Sequence, residues 1–147
     1  MKTKYLLPIL LLFSLSIFAQ GGKEKRERIK ALKVSFLTTE LNLTSEEAAK
    51  FWPVYNAFEE KEFDLRHRKM RGLVRKLDEG GLDSMTDKEA LSYLNQLEAA
   101  DEELFKLRQK LIADLKTIIG PVKILRLKKA EDEFNKRLLA KYKERKG

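Results

Sequence analysis

The sequence predicts an all-α protein built on a long helical hairpin with flanking helices, and three observations predict it. Ala, Leu, Glu, Lys and Arg dominate, with 7 Gly and 3 Pro among 147 residues, a composition of helix formers. Apolar residues recur at steps of three and four, and no segment alternates with period two over a useful length. Thr44–Glu47 and Thr86–Glu89 each form a capping box, in which the hydroxyl accepts a backbone N–H three residues on and the carboxylate reaches back. The hairpin is expected to bend at Pro53. A closed four-helix bundle is the alternative architecture.

The first element in the chain is a leader. Residues 1–19, "MKTKYLLPILLLFSLSIFA", carry Lys2 and Lys4, an apolar run from Tyr5 to Phe18, and the small residue Ala19. That order is the order of a secretory signal peptide. A membrane anchor is the competing reading, but the apolar run has about 14 residues where spanning a bilayer takes roughly 20. Cleavage after Ala19 leaves residues 20–147 as a single all-helical domain, with 29 Lys and Arg against 23 Asp and Glu, about +6. The chain has no Cys, so no disulfide supports it and packing must.

Four helices follow. The first is expected over about Glu24–Leu41, with Ile29, Leu32, Phe36 and Leu37 as its stripe, and Asn42–Leu43 as a break. The second starts after Thr44, with Leu43 placed to pack on Ala48. Its stripe runs through Phe51, Tyr55 and Phe58, then Phe63, Met70, Leu73 and Leu77, to Gly80–Gly81. Continuous, it would hold about 34 residues and reach about 50 Å. Pro53 lies well inside it, so a kink or short break is expected there, at about 3 kcal/mol. The third helix begins after Thr86 and carries Ala90, Leu94, Leu97, Leu104, Leu111, Leu115 and Ile118. Its heptad spacing suggests long antiparallel contact with the second. Asp101 and Arg108 fall on or beside that stripe, either as a buried pair or at its edge. Gly120–Pro121 ends the third helix and opens the fourth, which carries Ile124, Leu127, Phe134, Leu138 and Tyr142.

Catalytic chemistry is scarce. No thiol is present, and His67, the single histidine, sits among cations in "RHRKMR". There is no Gly-rich phosphate loop and no HExxH, and paired acids such as Glu59–Glu60 are usual on exposed helix faces. The chain reads as a non-enzyme, with no cofactor, no metal and no catalytic residue assigned. Two features remain. Arg66, Arg68, Lys69 and Arg71, with Met70 among them, form a cationic run that is either a solvated face or an attractor of anionic partners. Phe51, Trp52, Tyr55 and Phe58 form an aromatic cluster. Phe51 and Phe58 suit the core, whereas the polar tips of Trp52 and Tyr55 suit a half-exposed groove. Client-binding candidates are therefore Trp52, Tyr55, Arg66, Arg68, Lys69, Met70 and Arg71. Nucleic acid is set aside for an exported chain without aromatics interleaved in its basic run. A membrane surface is not the expected partner; attachment to anionic lipid stays a third reading that needs an amphipathic basic helix.

The leader, the helical hairpins and the motif Leu43, Thr44, Glu47 together resemble the Spy/CpxP family of periplasmic proteins, marked by Leu-Thr-x-x-Gln. Glu47 stands at the glutamine position. The family's second copy falls on "IIGPVK", with Ile119 at the leucine position and Lys123 at the glutamine position. The stretch "FWPVYN" is similar to the Bacteroidota branch, often labelled as sensors linked to extracytoplasmic-function sigma factors. The resemblance implies a thin, bent hairpin that forms a cradle-like homodimer and holds unfolded or partly folded envelope proteins without ATP. It also implies a second role, as regulatory partner of an envelope-stress sensor protein. Metal sensing is not implied, because the histidines and cysteines of metal-responsive members are missing.

Overall fold

The computed structural model describes the backbone of residues 6–147 and the side chains of residues 22–147. It is all-α: α1 Leu6–Leu41, α2 Ser45–Phe63, α3 Arg71–Lys76, α4 Asp87–Lys116 and α5 Gly120–Lys146. A π-helical stretch, Asp64–Met70, precedes α3, and Leu77–Gly81 follows it with non-helical backbone at Glu79 and Gly80. No strand occurs among the described residues. The leader, residues 1–19, lies outside the residues whose side chains are described. Among the described residues no helix is long and apolar enough to cross a membrane. The chain divides into two compact units, Leu43–Leu125 and Met1–Asn42 with Arg126–Gly147.

In the unit Leu43–Leu125, both caps form as their sequences require. Thr44 Oγ1 accepts from the Glu47 N–H at 3.1 Å, and Glu47 Oε1 accepts from the Thr44 N–H at 3.1 Å. Thr86 and Glu89 repeat the arrangement at 3.2 and 3.3 Å. α2 packs against α4, and the unit's buried residues are Phe51, Tyr55, Phe58 and Leu65 facing Ala100, Leu111 and Leu115, with Ile119 and Ile124 beyond. Turns close where the backbone needs positive φ: Gly80 at 88° and Gly120 at 78° take conformations that cost a side chain dearly.

Of the kink or short break expected at Pro53, the break does not occur. α2 runs through it for 19 residues to Phe63, with Pro53 exposed and Phe51, Tyr55 and Phe58 buried around it. Packing of those rings on the opposite face holds the backbone helical while the proline ring points to solvent. The departure from α geometry comes later, at Asp64–Met70, where the Arg71 N–H donates to the Arg66 carbonyl five residues back. A π turn carries about one extra residue and shifts the phase of everything after it. Hence Met70, Leu73 and Leu77, aligned by α spacing, are only half-buried, whereas before the shift Leu65, seven residues after Phe58, is buried and Phe63, five after it, is half-buried. Leu94 also departs from expectation: it is more than half exposed, on the outer edge of the α4 stripe.

In the other unit, the Phe36 and Phe134 rings lie 5.7 Å apart, and the Arg137 guanidinium sits 4.9 Å from the Phe36 ring. Leu37, Leu41, Leu127, Ala130 and Phe134 are buried. Leu32 is exposed. At 3.6 residues per turn it lies roughly 140° from Leu37 and about 180° from Leu41. Tyr142, expected on the apolar stripe, is exposed too.

Candidate functional site

The α2–α4 hairpin brings most of the sequence-selected residues into one unit, in roles that differ from those expected. Phe51 and Tyr55 stack at 5.1 Å with 14° between planes, and Trp52 meets both edge-on, at 4.9 and 5.9 Å. Tyr55 is 1% exposed and Phe51 0%. Tyr55 is thus a core residue, which corrects its placement in a half-exposed groove. One helical turn after Phe51, its buried ring lies 6.1 Å from that of Phe58. Trp52, half-buried, is the ring of this cluster that a partner can reach.

Three members of the cationic run are matched by acids. Arg66 Nε lies 3.3 Å from Glu62, Arg68 Nε 3.2 Å from Asp64, and Lys69 Nζ 2.9 Å from Glu103 on α4. Met70 is half-buried and Arg71 exposed. Counted over residues 43–125, 14 Lys and Arg face 16 Asp and Glu, a net −2. The hairpin that carries the basic run is therefore slightly acidic as a whole, and three cations of the run, Arg66, Arg68 and Lys69, are ion-paired. The His67 ring lies 4.3 Å from that of Phe63. Among the described residues, no group of three or more His, Cys, Asp or Glu side chains converges as a metal site.

Besides Lys69–Glu103, two more cross-helix ion pairs organise the unit. Arg108 Nη2 donates to both Glu62 oxygens, at 3.2 and 3.4 Å, while its guanidinium sits 5.5 Å from the Phe58 ring. Arg108 thus pairs across the hairpin with Glu62, and Asp101 lies exposed. The second pair joins the two motif-like positions: Lys123 Nζ donates to Glu47 Oε1 at 2.6 Å, both side chains being about four-fifths covered. That bond, with the Thr44 N–H, holds the Glu47 carboxyl below its usual range. A carboxyl with a depressed folded pKa stabilises fully above its ordinary value and loses that contribution as pH falls through the folded value. Thermal melts of the parent and Lys123→Met, which keeps the aliphatic stem without the charge, should therefore differ most near neutrality. The difference should shrink once pH drops below about 4.5. A gap that stays constant into strong acid would show that the pair contributes through packing alone.

Along the α2–α4 seam runs an open groove. A section of about 280 Å³ has Val54, Ala57, Phe58, Leu107 and Leu111 as its floor. Past Lys61 and Lys110 it continues into a section of about 480 Å³ over Leu65 and Leu107. On the outside of α4, Leu91, Leu94 and Phe105 are exposed, the last two at 55% and 61%. Steps of 3 and 11 put these three on one face. Sequence reasoning missed Leu65, Glu62 and Phe105. Leu65 was signalled by the step of seven from Phe58. Glu62 was signalled by Arg108, a cation beside the apolar stripe that needs an acid opposite. Phe105 follows Leu104 directly, and nothing local says which of two adjacent apolar residues faces the core.

Comparisons with protein-family models, curated proteins and solved structures return no match.

Proposed function

We propose that this protein is an exported, ATP-independent chaperone of the periplasm that holds unfolded or partly folded envelope proteins, a role like that implied by its Spy/CpxP-like motif. The observation that carries the reading is the apolar surface left outside the α2–α4 core: Leu91, Leu94 and Phe105 in one line on the outer face of α4. Exposed apolar side chains spaced along a charged helix suit weak, repeated contacts with many sequences better than one tight fit. Trp52 adds a half-buried ring to the same unit.

The test is suppression of aggregation of a chemically denatured client at stoichiometric protein. The parent should suppress it. Leu91→Ser, Leu94→Ser and Phe105→Ser combined should need about tenfold more protein for equal effect, since three partly buried contacts of this size carry a kcal/mol or two. Helicity and melting temperature should hold, because the three side chains contribute little to the core. A parent that leaves aggregation untouched, or a triple variant as active as the parent, would sink the reading.

A further inference from the structure

The positive charge of this chain is not where its basic run lies. The hairpin unit is net −2, as counted above. Residues 22–42 and 126–147, described in the other unit, hold 15 Lys and Arg against 7 Asp and Glu, a net +8. All nine cations of the α5 share, from Arg126 to Lys146, are exposed. Intrahelical pairs such as Lys136–Asp132 at 2.8 Å and Lys129–Glu133 at 3.8 Å are already counted in that net. Such asymmetry within one small protein marks a surface for an anionic polymer or membrane.

The same unit exposes apolar groups among its cations. Leu139 and Tyr142, one turn apart on α5, are both more than half exposed. Lys128, Lys143 and Lys146 fall on their face of the helix at 3.6 residues per turn. The Lys146 ammonium lies 4.7 Å from the Tyr142 ring. A leucine and a tyrosine set among long cationic side chains match the boundary of a bilayer. The apolar groups enter the acyl edge, the phenol stays at headgroup level, and the ammonium groups reach phosphate. A soluble polyanion would use the charge and leave the apolar pair unused.

We propose that the unit of α1 and the C-terminal part of α5 docks on an anionic phospholipid surface, through the exposed cations of α5 with Leu139 and Tyr142 as shallow anchors. This does not depend on the client-binding reading, which concerns the hairpin. It assigns to α5 the amphipathic basic helix that attachment to anionic lipid needs.

Flotation of the full chain with vesicles of phosphatidylcholine alone, or of phosphatidylcholine mixed with phosphatidylglycerol, tests it. The bound fraction should be about tenfold higher on the anionic vesicles at low salt. The excess should vanish near 1 M salt, where the screening length is about 3 Å. Any retained apolar leader would bind both vesicle types alike and resist salt, so the salt-sensitive difference reads the unit. Replacing Lys128, Lys143, Arg145 and Lys146 with Gln should remove most of that difference. Replacing Arg66, Arg68, Arg71 and Arg75 with Gln should leave it intact. Leu139→Ser with Tyr142→Ser should weaken vesicle binding severalfold and leave binding to soluble polyphosphate unchanged. Equal binding to both vesicle types, or loss through the hairpin set, would overturn the proposal. So would a serine pair that changes vesicle binding no more than polyphosphate binding; the partner would then be a soluble polyanion.

Discussion

Phe51→Ala should lower the unfolding free energy by about 3–5 kcal/mol, the range for removing a buried aromatic ring. Phe51 is fully buried, stacked on Tyr55 and capped edge-on by Trp52. Its loss opens a void beneath two other rings and removes the contacts that align α2 with α4. Small domains hold about 5–15 kcal/mol in total, so the variant should show an urea midpoint well below the parent's. Phe51→Leu, which keeps most of the volume, should fold with a smaller loss of about 1–2 kcal/mol and guards against an uninformative collapse. Trp52→Ala is the contrast. Its ring is only half-buried, so the cost should be clearly smaller than for Phe51. Equal losses at the two positions would mean that Trp52 is as much a core residue as Phe51, and would remove it from the reachable surface.

Pro53→Ala should act in the opposite direction and raise stability by up to about 3 kcal/mol. Pro53 is the ninth residue of α2 and is exposed. Without an N–H it leaves the Ala49 carbonyl without its i+4 donor, and its ring crowds that carbonyl. α2 is nonetheless continuous on both sides, so alanine meets a backbone already helical and restores the missing bond. The proline ring also edges the seam groove, and losing that contact offsets a small part of the gain. Pro53→Gly should gain about 1 kcal/mol less than Pro53→Ala, the helix-propensity gap between the two. A lower melting temperature for Pro53→Ala would show that the proline is packed into the structure in a way its exposure denies.

Much of the fold is written locally. Thr44, Glu47, Thr86 and Glu89 start their helices by bonds that span three residues, and Asn42, Gly80 and Gly120 end or join helices by their own backbone conformations. These bonds form between neighbours in the chain, so the residues themselves determine them. The all-α class follows for the same reason. The core was legible where apolar residues repeat at one spacing, as at Phe51, Tyr55 and Phe58. It blurred after Asp64, because a π turn changes the phase and no residue there announces one.

The candidate site was less legible, because its character depends on partners far away in sequence. Tyr55 and Trp52 are both amphipathic aromatics, and only the packing of the helices decides that one is sealed and the other reachable. Arg108 finds Glu62 across 46 residues, and Lys123 finds Glu47 across 76. Charge shows the same division. Composition determined the sign of the net charge, but the division of the chain into two units decided where it sits. The hairpin unit balances its cations with acids, and the excess stands on α1 and α5. Periodicity and capping act over one or two helical turns, which a sequence displays in order. Burial and ion pairing act between surfaces that meet only when helices pack, and that meeting assigned each side chain its neighbours.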